Sequence, residues 1–444
     1  MSCAQFDRYA LVPTRLFALK HGATLVWGPE IVDKAILHAK REVDRASLCL
    51  LNTIVCYTNL ISAVTGVVSY NGVTRAIFTT HPIEKPHLIY QIGSSDPDLA
   101  VQAAKVVMQD VSGIDLNCGC PKPFSTHAGM GAALLTNPDL LCSILTALRK
   151  EMPPHITVTA KIRLLPSQED TLKLVDRIVD TGINALTVHC RTRSMRDKDK
   201  ALIERLRAIV NFVAAKGKGI AVIENGDCLG WEDARKVRSV TGAHSVMIAR
   251  AAESNPSCFS ADPLKDVERN LWPAYLRLVR RPYSLLLQTQ KTHVKAKYLD
   301  NHWSLTKFCV TQFKGARIDV TKAESHGLHQ KIAKAKSYSE MQDIMGGSSG
   351  EEDMQSIVTA LEERPPREHR MMPPIDQREQ SPLNEYLTVT PQGTQNPEPP
   401  GSGAPYLPHD FGKTLPFPNH NATTPTPSGI GVMLPSHPCR LQLQ

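Results

Sequence analysis

Short apolar runs alternate with helical patterns along residues 1–261, and this alternation constrains the fold more than any other feature of the chain. Runs with the length and flanking turn residues of strands span residues 23–27, 87–92, 113–117, 157–162, 185–189, 220–223 and 245–248. Helical patterns lie between them at residues 96–109, 138–150, 167–180, 200–215 and 231–237. Strict alternation predicts an α/β protein with a parallel sheet and helices outside it.

A closed (β/α)8 TIM barrel needs eight strands, and the pattern supplies seven. The chain opens on Met1-Ser2-Cys3-Ala4-Gln5 and reaches a helical pattern at residues 13–21 almost at once. The first strand is therefore expected to be missing or truncated. Its loss would leave buried backbone groups of two neighbouring strands unpaired, which is costly. We therefore favour a truncated chain start over a natural seven-stranded enzyme.

The alternation stops near residue 262, which predicts three regions. Residues 1–261 form the barrel, and residues 262–346 form a small helical domain with helices at 263–270, 282–300, 302–313 and 326–344. Residues 347–444 are rich in Pro, Gly, Ser and Thr, with few aliphatic residues to offset the entropy of ordering. This tail is predicted to be mostly disordered, with one helix near residues 351–363.

Charge is concentrated in the helical domain. The whole chain has a net charge of +8, and residues 262–345 carry 15 Lys and Arg against 8 Asp and Glu. A local basic surplus favours a nucleic-acid partner, although ordinary solvated helices can carry a surplus of this size. The domain is therefore the expected site of nucleic-acid binding.

An uncharged stretch, residues 46–74, interrupts the barrel pattern. Its many polar residues and Gly66 favour a loop or an extra hairpin over a bilayer span, and a translated intron is a third interpretation. No membrane association is expected. The 11 cysteines without paired spacing or a secretory leader favour free thiols in a reducing compartment, the cytoplasm or the nucleus.

The strand at residues 113–117 runs into Cys118-Gly119-Cys120-Pro121-Lys122, which places a thiol at a strand end. In a TIM barrel these ends form the catalytic face. A thiol has an ordinary pKa near 8.5, so at neutral pH Cys120 can donate a proton. The alternatives are small apolar residues, which we expect for Cys118, or half of a metal site. No Cys-x-x-Cys pair completes a zinc site, so no metal is predicted.

Several strand-end motifs together resemble the flavin-dependent tRNA dihydrouridine synthases. They are Asp115-Leu116-Asn117-Cys118-Gly119-Cys120-Pro121-Lys122, Gly129-Met130-Gly131-Ala132-Ala133-Leu134-Leu135, Lys161-Ile162-Arg163, His189-Cys190-Arg191, Glu224-Asn225-Gly226-Asp227 and Met247-Ile248-Ala249-Arg250. Tyr298-Leu299-Asp300-Asn301-His302 and Thr306-Lys307-Phe308-Cys309 resemble the eukaryotic branch that acts on uridine 20 of the tRNA D-loop.

The resemblance implies an enzyme that reduces the C5–C6 bond of a D-loop uridine, with FMN as cofactor, NADPH or NADH as reductant and Cys120 as proton donor. The implied cofactor-binding residues are Gln91, Lys161, His189, Asn225, Gly226, Asp227, Ala249 and Arg250. The residues assigned to the uracil and the tRNA backbone are Asn117, Lys122, Arg163, Arg191 and Arg193.

Two other functions stay open at this point. The missing strand is compatible with a catalytically impaired tRNA-binding paralogue, which would not retain the cofactor. A flavin barrel that acts on a small pyrimidine is the second alternative, and the basic helical domain argues against it. No surface pattern decides the oligomeric state, and a monomer is the working expectation.

Overall fold

A computed structural model describes residues 2–5, 11–43, 67–279, 303–315, 321–341, 344 and 350–364. Eight strands form the barrel: β1 Ser2–Gln5, β2 Leu25–Val32, β6 Leu88–Gly93, β7 Gly113–Cys118, β8 Thr157–Leu164, β9 Ala185–Thr192, β10 Ala221–Asn225 and β11 Ser245–Ile248. The strands pair in the closed order β1-β11-β10-β9-β8-β7-β6-β2, and the pairs are parallel. The predicted TIM barrel is confirmed.

The first barrel strand is present. In β1, Cys3 lies opposite Met247 of β11 on one side and Leu25 of β2 on the other. The prediction of a missing first strand is therefore wrong. The Ser-Cys-Ala-Gln run is too short and too poor in large apolar residues to be recognised as a strand from its pattern. Its position is decided by β2 and β11, whose backbone groups would otherwise be unpaired.

Helices cover the outside of the barrel. Those between the barrel strands are Val12–Lys20, Asp33–Leu37, Pro97–Val107, Pro123–Thr126, Pro138–Glu151, Gln168–Asp180, Leu206–Ala215 and Trp231–Thr241, and Arg250–Ser254 follows β11. Their starts follow local chemistry, because Asp96 and Ser167 each accept a hydrogen bond from a backbone N–H of the helix's first turn. The longer helices pack their apolar stripes onto the outer face of the strands, whereas the short helix Pro123–Thr126 lies in the loop after β7.

A small antiparallel sheet follows β2, formed by β3 Lys40–Val43, β4 Val68–Asn71 and β5 Ala76–Thr80. The guanidinium of Arg41 binds both carboxylate oxygens of Asp110 at 2.7 and 2.8 Å, which ties the sheet to the barrel. Of the stretch 46–74, for which a loop or an extra hairpin was predicted, the described residues 67–74 form β4 and the turn that leads to β5, while residues 44–66 lie outside the described residues. No helix in the described part of the chain is long and apolar enough to cross a membrane.

Beyond the barrel the chain is helical. The elements are a π-helix Val267–Leu271, α-helices Trp272–Val279, Trp303–Gln312, Lys322–Lys334 and Gly350–Glu362, and a 3-10 helix Tyr338–Met341. The indole of Trp272 donates to the carbonyl of Val310 at 3.0 Å, which joins two of these helices. Gly350–Glu362 matches the helix expected in the tail. The helix predicted at residues 282–300 lies outside the described residues, as does the tail predicted at 347–444 apart from residues 350–364.

Candidate active site

The carboxyl ends of β6 to β10 bring predicted site residues into one row. The paired positions are Gln91 with Asp115, Asn117 with Lys161, Arg163 with His189, and His189 with Asn225. Side chains alternate between the two faces of a strand, so paired positions of parallel strands share a face. The row therefore runs along the mouth of the barrel, as strand-end placement predicted.

The loop that carries Cys120 is held by its neighbours on both sides. The side-chain oxygen of Asn117 accepts hydrogen bonds from the N–H groups of Gly119 and Cys120, each at 2.9 Å. Arg163 donates from Nε to the carbonyl of Gly119 at 2.7 Å. Gly131 has a φ of +58°, and a Cβ there would lie 2.6 Å from the Cys120 carbonyl oxygen. Asn117 and Arg163 thus fix the backbone that presents the thiol.

A directed chain of hydrogen bonds supports Asn117 from within the barrel. The side chains of Thr159 and Gln91 donate to the two carboxylate oxygens of Asp115 at 2.6 and 2.7 Å. The side-chain amide of Asn117 donates to the side-chain oxygen of Gln91 at 3.0 Å. Because a carboxylate only accepts, Asp115 forces the amide of Gln91 to turn its oxygen toward Asn117. Asn117 must then turn its own oxygen toward the Cys120 loop.

Cys120 is held in the protonated form. Burial and the neighbouring Glu30 carboxylate raise the pKa of its thiol to about 11, despite the backbone N–H and charge of Lys122. A thiol with this pKa is an acid that keeps its proton at neutral pH. Cys118 is fully buried, and burial raises the pKa of its thiol well above the ordinary value. Cys118 therefore packs as a small apolar residue, as expected.

On the opposite side of the mouth most of the charged groups are cations. Burial, followed by the charges of Lys161 and Arg163, holds the pKa of His189 far below its ordinary value. His189 is therefore a neutral imidazole. Burial and the nearby Arg191 lower the pKa of Arg163 as well. Positive charges therefore lie close together on this side of the mouth. An anionic ligand bound here would offset the repulsion between them.

Asp227 holds two of the cations. It accepts hydrogen bonds from Arg191, from Arg250 at 2.5 Å and from the backbone N–H of Ala201 at 2.9 Å. Burial opposes ionisation of Asp227, but the Arg191 and Ala201 donors and the two positive charges bring its pKa below the ordinary value. Asp227 is an ionised carboxylate that positions Arg191 at the carboxyl end of β9 and Arg250 at the start of the short helix after β11.

The loop after β10 is shaped by packing. The side-chain amide of Asn225 donates to the Met247 carbonyl at 2.9 Å, which joins β10 to β11. At Gly226 a Cβ would lie 2.4 Å from Oε1 of Glu224, so the glycine is needed for this close approach. Ala249 precedes the short helix Arg250–Ser254 with a φ of −110° and a ψ of −80°. These loops lie where TIM barrels commonly bind phosphate.

The remaining two predicted residues lie at the rim. Arg193 is exposed on the loop after β9, and its carbonyl oxygen accepts from Arg196 at 3.2 Å. Lys122 is half-buried, and its carbonyl oxygen accepts from the N–H groups of Ser125 and Thr126. The structure does not bring Arg193 into the buried row.

Three carboxyl groups close to the predicted site residues are absent from the sequence prediction: Glu30, Asp115 and Glu224. Glu224 is fully buried, and neither of its oxygens has a hydrogen-bond partner among the described residues. Burial and the charge of Asp227 raise its pKa to about 8. A charged residue inside an apolar strand was the available signal for Asp115 and Glu224. Glu30 follows Gly28-Pro29, which breaks the apolar pattern.

Comparison with known proteins identifies the family. The family model described as dihydrouridine synthase (Dus) matches residues 24–341. The chain belongs to the dihydrouridine synthase family. Within this family it is similar to the tRNA-dihydrouridine(20) synthase [NAD(P)+] of Schizosaccharomyces pombe, with 39% identity over 81% of this chain and 67% of the relative.

Two further members of the family are similar to this chain. The tRNA-dihydrouridine(20) synthase [NAD(P)+] of Saccharomyces cerevisiae is 41% identical over 58% of this chain and 65% of its own length. A human tRNA-dihydrouridine(20a/20b) synthase [NAD(P)+]-like protein is 33% identical over 47% of this chain and 65% of its own length. The match thus spans about two thirds of these relatives. In the part of the chain that the structure describes, no group of three or more His, Cys, Asp or Glu could hold a metal ion.

Proposed function

We propose that the chain is a tRNA-dihydrouridine synthase that reduces the C5–C6 double bond of uridine 20 in the D-loop, with FMN as cofactor and NADPH as reductant. The observation that carries the proposal is the protonated thiol of Cys120 beside a cluster of cations at the mouth of a TIM barrel. The names of the two fungal relatives support the substrate position and the use of a nicotinamide nucleotide.

The donor set at the mouth suits FMN. Four cations, Lys161, Arg163, Arg191 and Arg250, exceed the carboxylates that face them, so a phosphate and a ring that gains negative charge on reduction would be stabilised there. Bound FMN would supply the hydride that reaches C6 of the uracil. The residues that would hold it are Gln91, Lys161, His189, Asn225, Gly226, Asp227, Ala249 and Arg250. Asp227 would act by positioning Arg250.

Cys120 supplies the proton in this mechanism. When hydride reaches C6, the S–H bond of Cys120 breaks and a C5–H bond forms, which leaves a thiolate and a saturated C5–C6 bond. The uracil thereby gains two electrons and two hydrogen atoms. NADPH is the proposed source of the next electron pair, and water returns the proton to the thiolate. The backbone contacts from Asn117 and Arg163 keep the thiol in place through the cycle.

Binding of tRNA requires that the target base leaves its stack and enters the pocket. Asn117, Arg163 and Arg191 already bind protein groups at the mouth, so we assign them to the walls around the uracil. Lys122 and Arg193 lie nearer the rim, where they would contact the tRNA backbone. Such contacts position the RNA without reading its sequence.

Neither alternative function gains an observation that favours it. The impaired paralogue was motivated by a missing first strand, and β1 fills that position. The basic surplus of residues 262–345 still argues against a small pyrimidine as the substrate. The free cysteines of the described residues support our proposal of a cytoplasmic or nuclear location. A monomer stays a prediction.

The test is the visible absorption spectrum of the purified chain before and after NADPH, followed by incubation with unmodified tRNA. We expect a flavin spectrum that NADPH bleaches, and dihydrouridine at position 20 detected by mass spectrometry. A matched tRNA with cytidine at position 20 should give no product. A colourless protein that cannot be reconstituted with FMN, or a bleached flavin with no tRNA product, would contradict the proposal.

A further inference from the structure

Glu30 occupies a bulge in β2 that turns its side chain toward the Cys120 loop. Trp27 pairs with Ile89, but the next pair along the two strands is Glu30 with Gln91. In a regular strand Pro29 would pair with Gln91, and Glu30 would be displaced by one residue onto the opposite face. A bulge redirects side chains in this way and is common next to active sites. The extra residue therefore places a carboxylate beside the row of site residues.

The space around this carboxylate is built from small residues. At Gly93 a Cβ would lie 2.9 Å from Oε1 of Glu30, so any larger side chain would displace the carboxylate. The hydroxyl of Ser125, which is fully buried, donates to the same oxygen at 3.1 Å. At Gly131 a Cβ would lie 2.4 Å from the Ser125 hydroxyl and 3.0 Å from Cβ of Cys120. Glu30, Ser125 and Cys120 thus form one packed group.

Several charged groups act on the Cys120 thiol, and they differ in sign. Glu30 from β2 acts through its charge and a hydrogen bond, and both favour the protonated thiol. Lys122 in the same loop and Arg163 from β8 favour the thiolate. The net result is a thiol that keeps its proton, so burial and Glu30 outweigh the two cations. Removal of Glu30 would therefore take away a carboxylate that opposes the two cations at the thiol.

We propose that Glu30 is a positioning residue that keeps Cys120 protonated and hydrogen-bonded beside the pocket. The inference rests on the proposed function, in which Cys120 gives its proton to C5 of uracil. The thiolate is the nucleophilic form of cysteine and cannot serve as the acid. In a mouth rich in arginine and lysine, a carboxylate next to the sulfur preserves the acid form and favours return of a proton after each turnover.

The first experiment measures the ionisation of Cys120 directly. Flavin-loaded protein is alkylated with iodoacetamide from about pH 7 to about pH 12, a range that extends above the raised pKa of the thiol, and mass spectrometry follows the peptide that contains Cys120. In Glu30→Gln we expect the rate to level off about one pH unit or more below the wild-type chain, since removal of a nearby like charge shifts a pKa by this much. Glu169→Gln, which removes an exposed carboxylate from an outer helix, should leave the profile unchanged.

This profile separates ionisation from a merely loosened loop. Easier access to the sulfur would raise the alkylation rate by one factor at every pH without moving the point where the rate levels off. Such a uniform change, or an unchanged profile, would overturn the proposal. Glu30→Asp keeps the charge and should restore part of the wild-type profile. A flavin spectrum in every variant shows that the barrel is folded.

The second experiment follows dihydrouridine formation against pH. In Glu30→Gln the alkaline loss of tRNA reduction should begin about one unit lower than in wild type, while flavin reduction by NADPH keeps its rate. If Cys120→Ala retained tRNA reduction, the proposed role of the thiol would fail even where the alkylation shift is present. If Cys120→Ala is inactive and the alkaline limb of Glu30→Gln does not move, the role of Glu30 alone fails.

Discussion

The two sides of the barrel mouth differ in how their polar groups are satisfied. On the side of β2, β6 and β7, carboxylates and amides form a directed hydrogen-bond chain that ends at the Cys120 loop. On the side of β8 to β11, four cations lie close together, and two of them, Arg191 and Arg250, share Asp227 as their partner. The first side therefore protects a proton, and the second attracts negative charge. A single fold divides acid chemistry and anion binding between neighbouring strands.

Cys120→Ala is the sharpest way to break this division. If the first side supplies only the proton, tRNA reduction should fall by about 10²- to 10⁴-fold, while flavin binding and NADPH oxidation continue. The measurement is dihydrouridine formation together with the rate of flavin bleaching. Cys142→Ala, on the outer helix Pro138–Glu151, is the control and should be unaffected. If Cys120→Ala lost its bound flavin as well as its tRNA reduction, the two sides of the mouth would not be independent.

Glu224 tests the electrostatics beneath the cationic side. Its pKa is about 8 in the folded chain, against an ordinary value of 4.5. Below about pH 4.5 the carboxyl is protonated in both states; as pH rises to about 8 only the unfolded chain ionises it freely, so stability is lost. Relative to wild type, Glu224→Gln should therefore gain on the order of 5 kcal/mol in free energy of unfolding between about pH 4.5 and about pH 8.

Denaturant unfolding at a series of pH values measures this difference. The control is Glu151→Gln, whose wild-type carboxylate is exposed and paired with Lys105, and whose difference from wild type should stay constant between about pH 5 and 8. A constant difference between Glu224→Gln and wild type would contradict the raised pKa.

Lys161 tests the cationic side itself. Removal of its charge by Lys161→Gln should weaken FMN binding by about tenfold to a hundredfold, because a buried cation beside an anionic ligand is lost. Titration of FMN into the apoprotein, followed by fluorescence, gives the affinity. Lys105→Gln removes an exposed cation from an outer helix and should bind FMN as wild type does. Equal affinities for both variants would remove Lys161 from the cofactor site.

Arg193 has the smallest expected effect, since it lies at the rim and not in the buried row. Arg193→Gln should weaken tRNA binding a few-fold, by about 1 kcal/mol, and reduce the slope of log affinity against log salt by about one. Filter binding at several salt concentrations measures both quantities. Arg235→Gln, on the outer helix Trp231–Thr241, is the control. An unchanged slope would exclude a phosphate contact from Arg193.

The strands that are rich in apolar residues could be predicted from the sequence. The ends of these predicted strands gave the positions of the site residues. β7 was predicted at residues 113–117 and spans Gly113–Cys118, so Asn117 and Cys120 were correctly placed at its carboxyl end. β1 was missed because four small and polar residues carry no apolar pattern. Glu30 was missed because only the pairing of β2 with β6 reveals the bulge that turns it toward Cys120.

The sequence alone determined the barrel class, the family and the position of the reactive thiol, because strand length, turn residues and motif order are local properties. The tertiary structure decided which groups surround that thiol and what charge they carry. Glu30 comes from β2 and Arg163 from β8, and they reach the Cys120 loop after β7 only when the sheet closes. The protonation of Cys120 follows from burial and from Glu30, which outweigh the nearby cations, so it is a property of the folded chain.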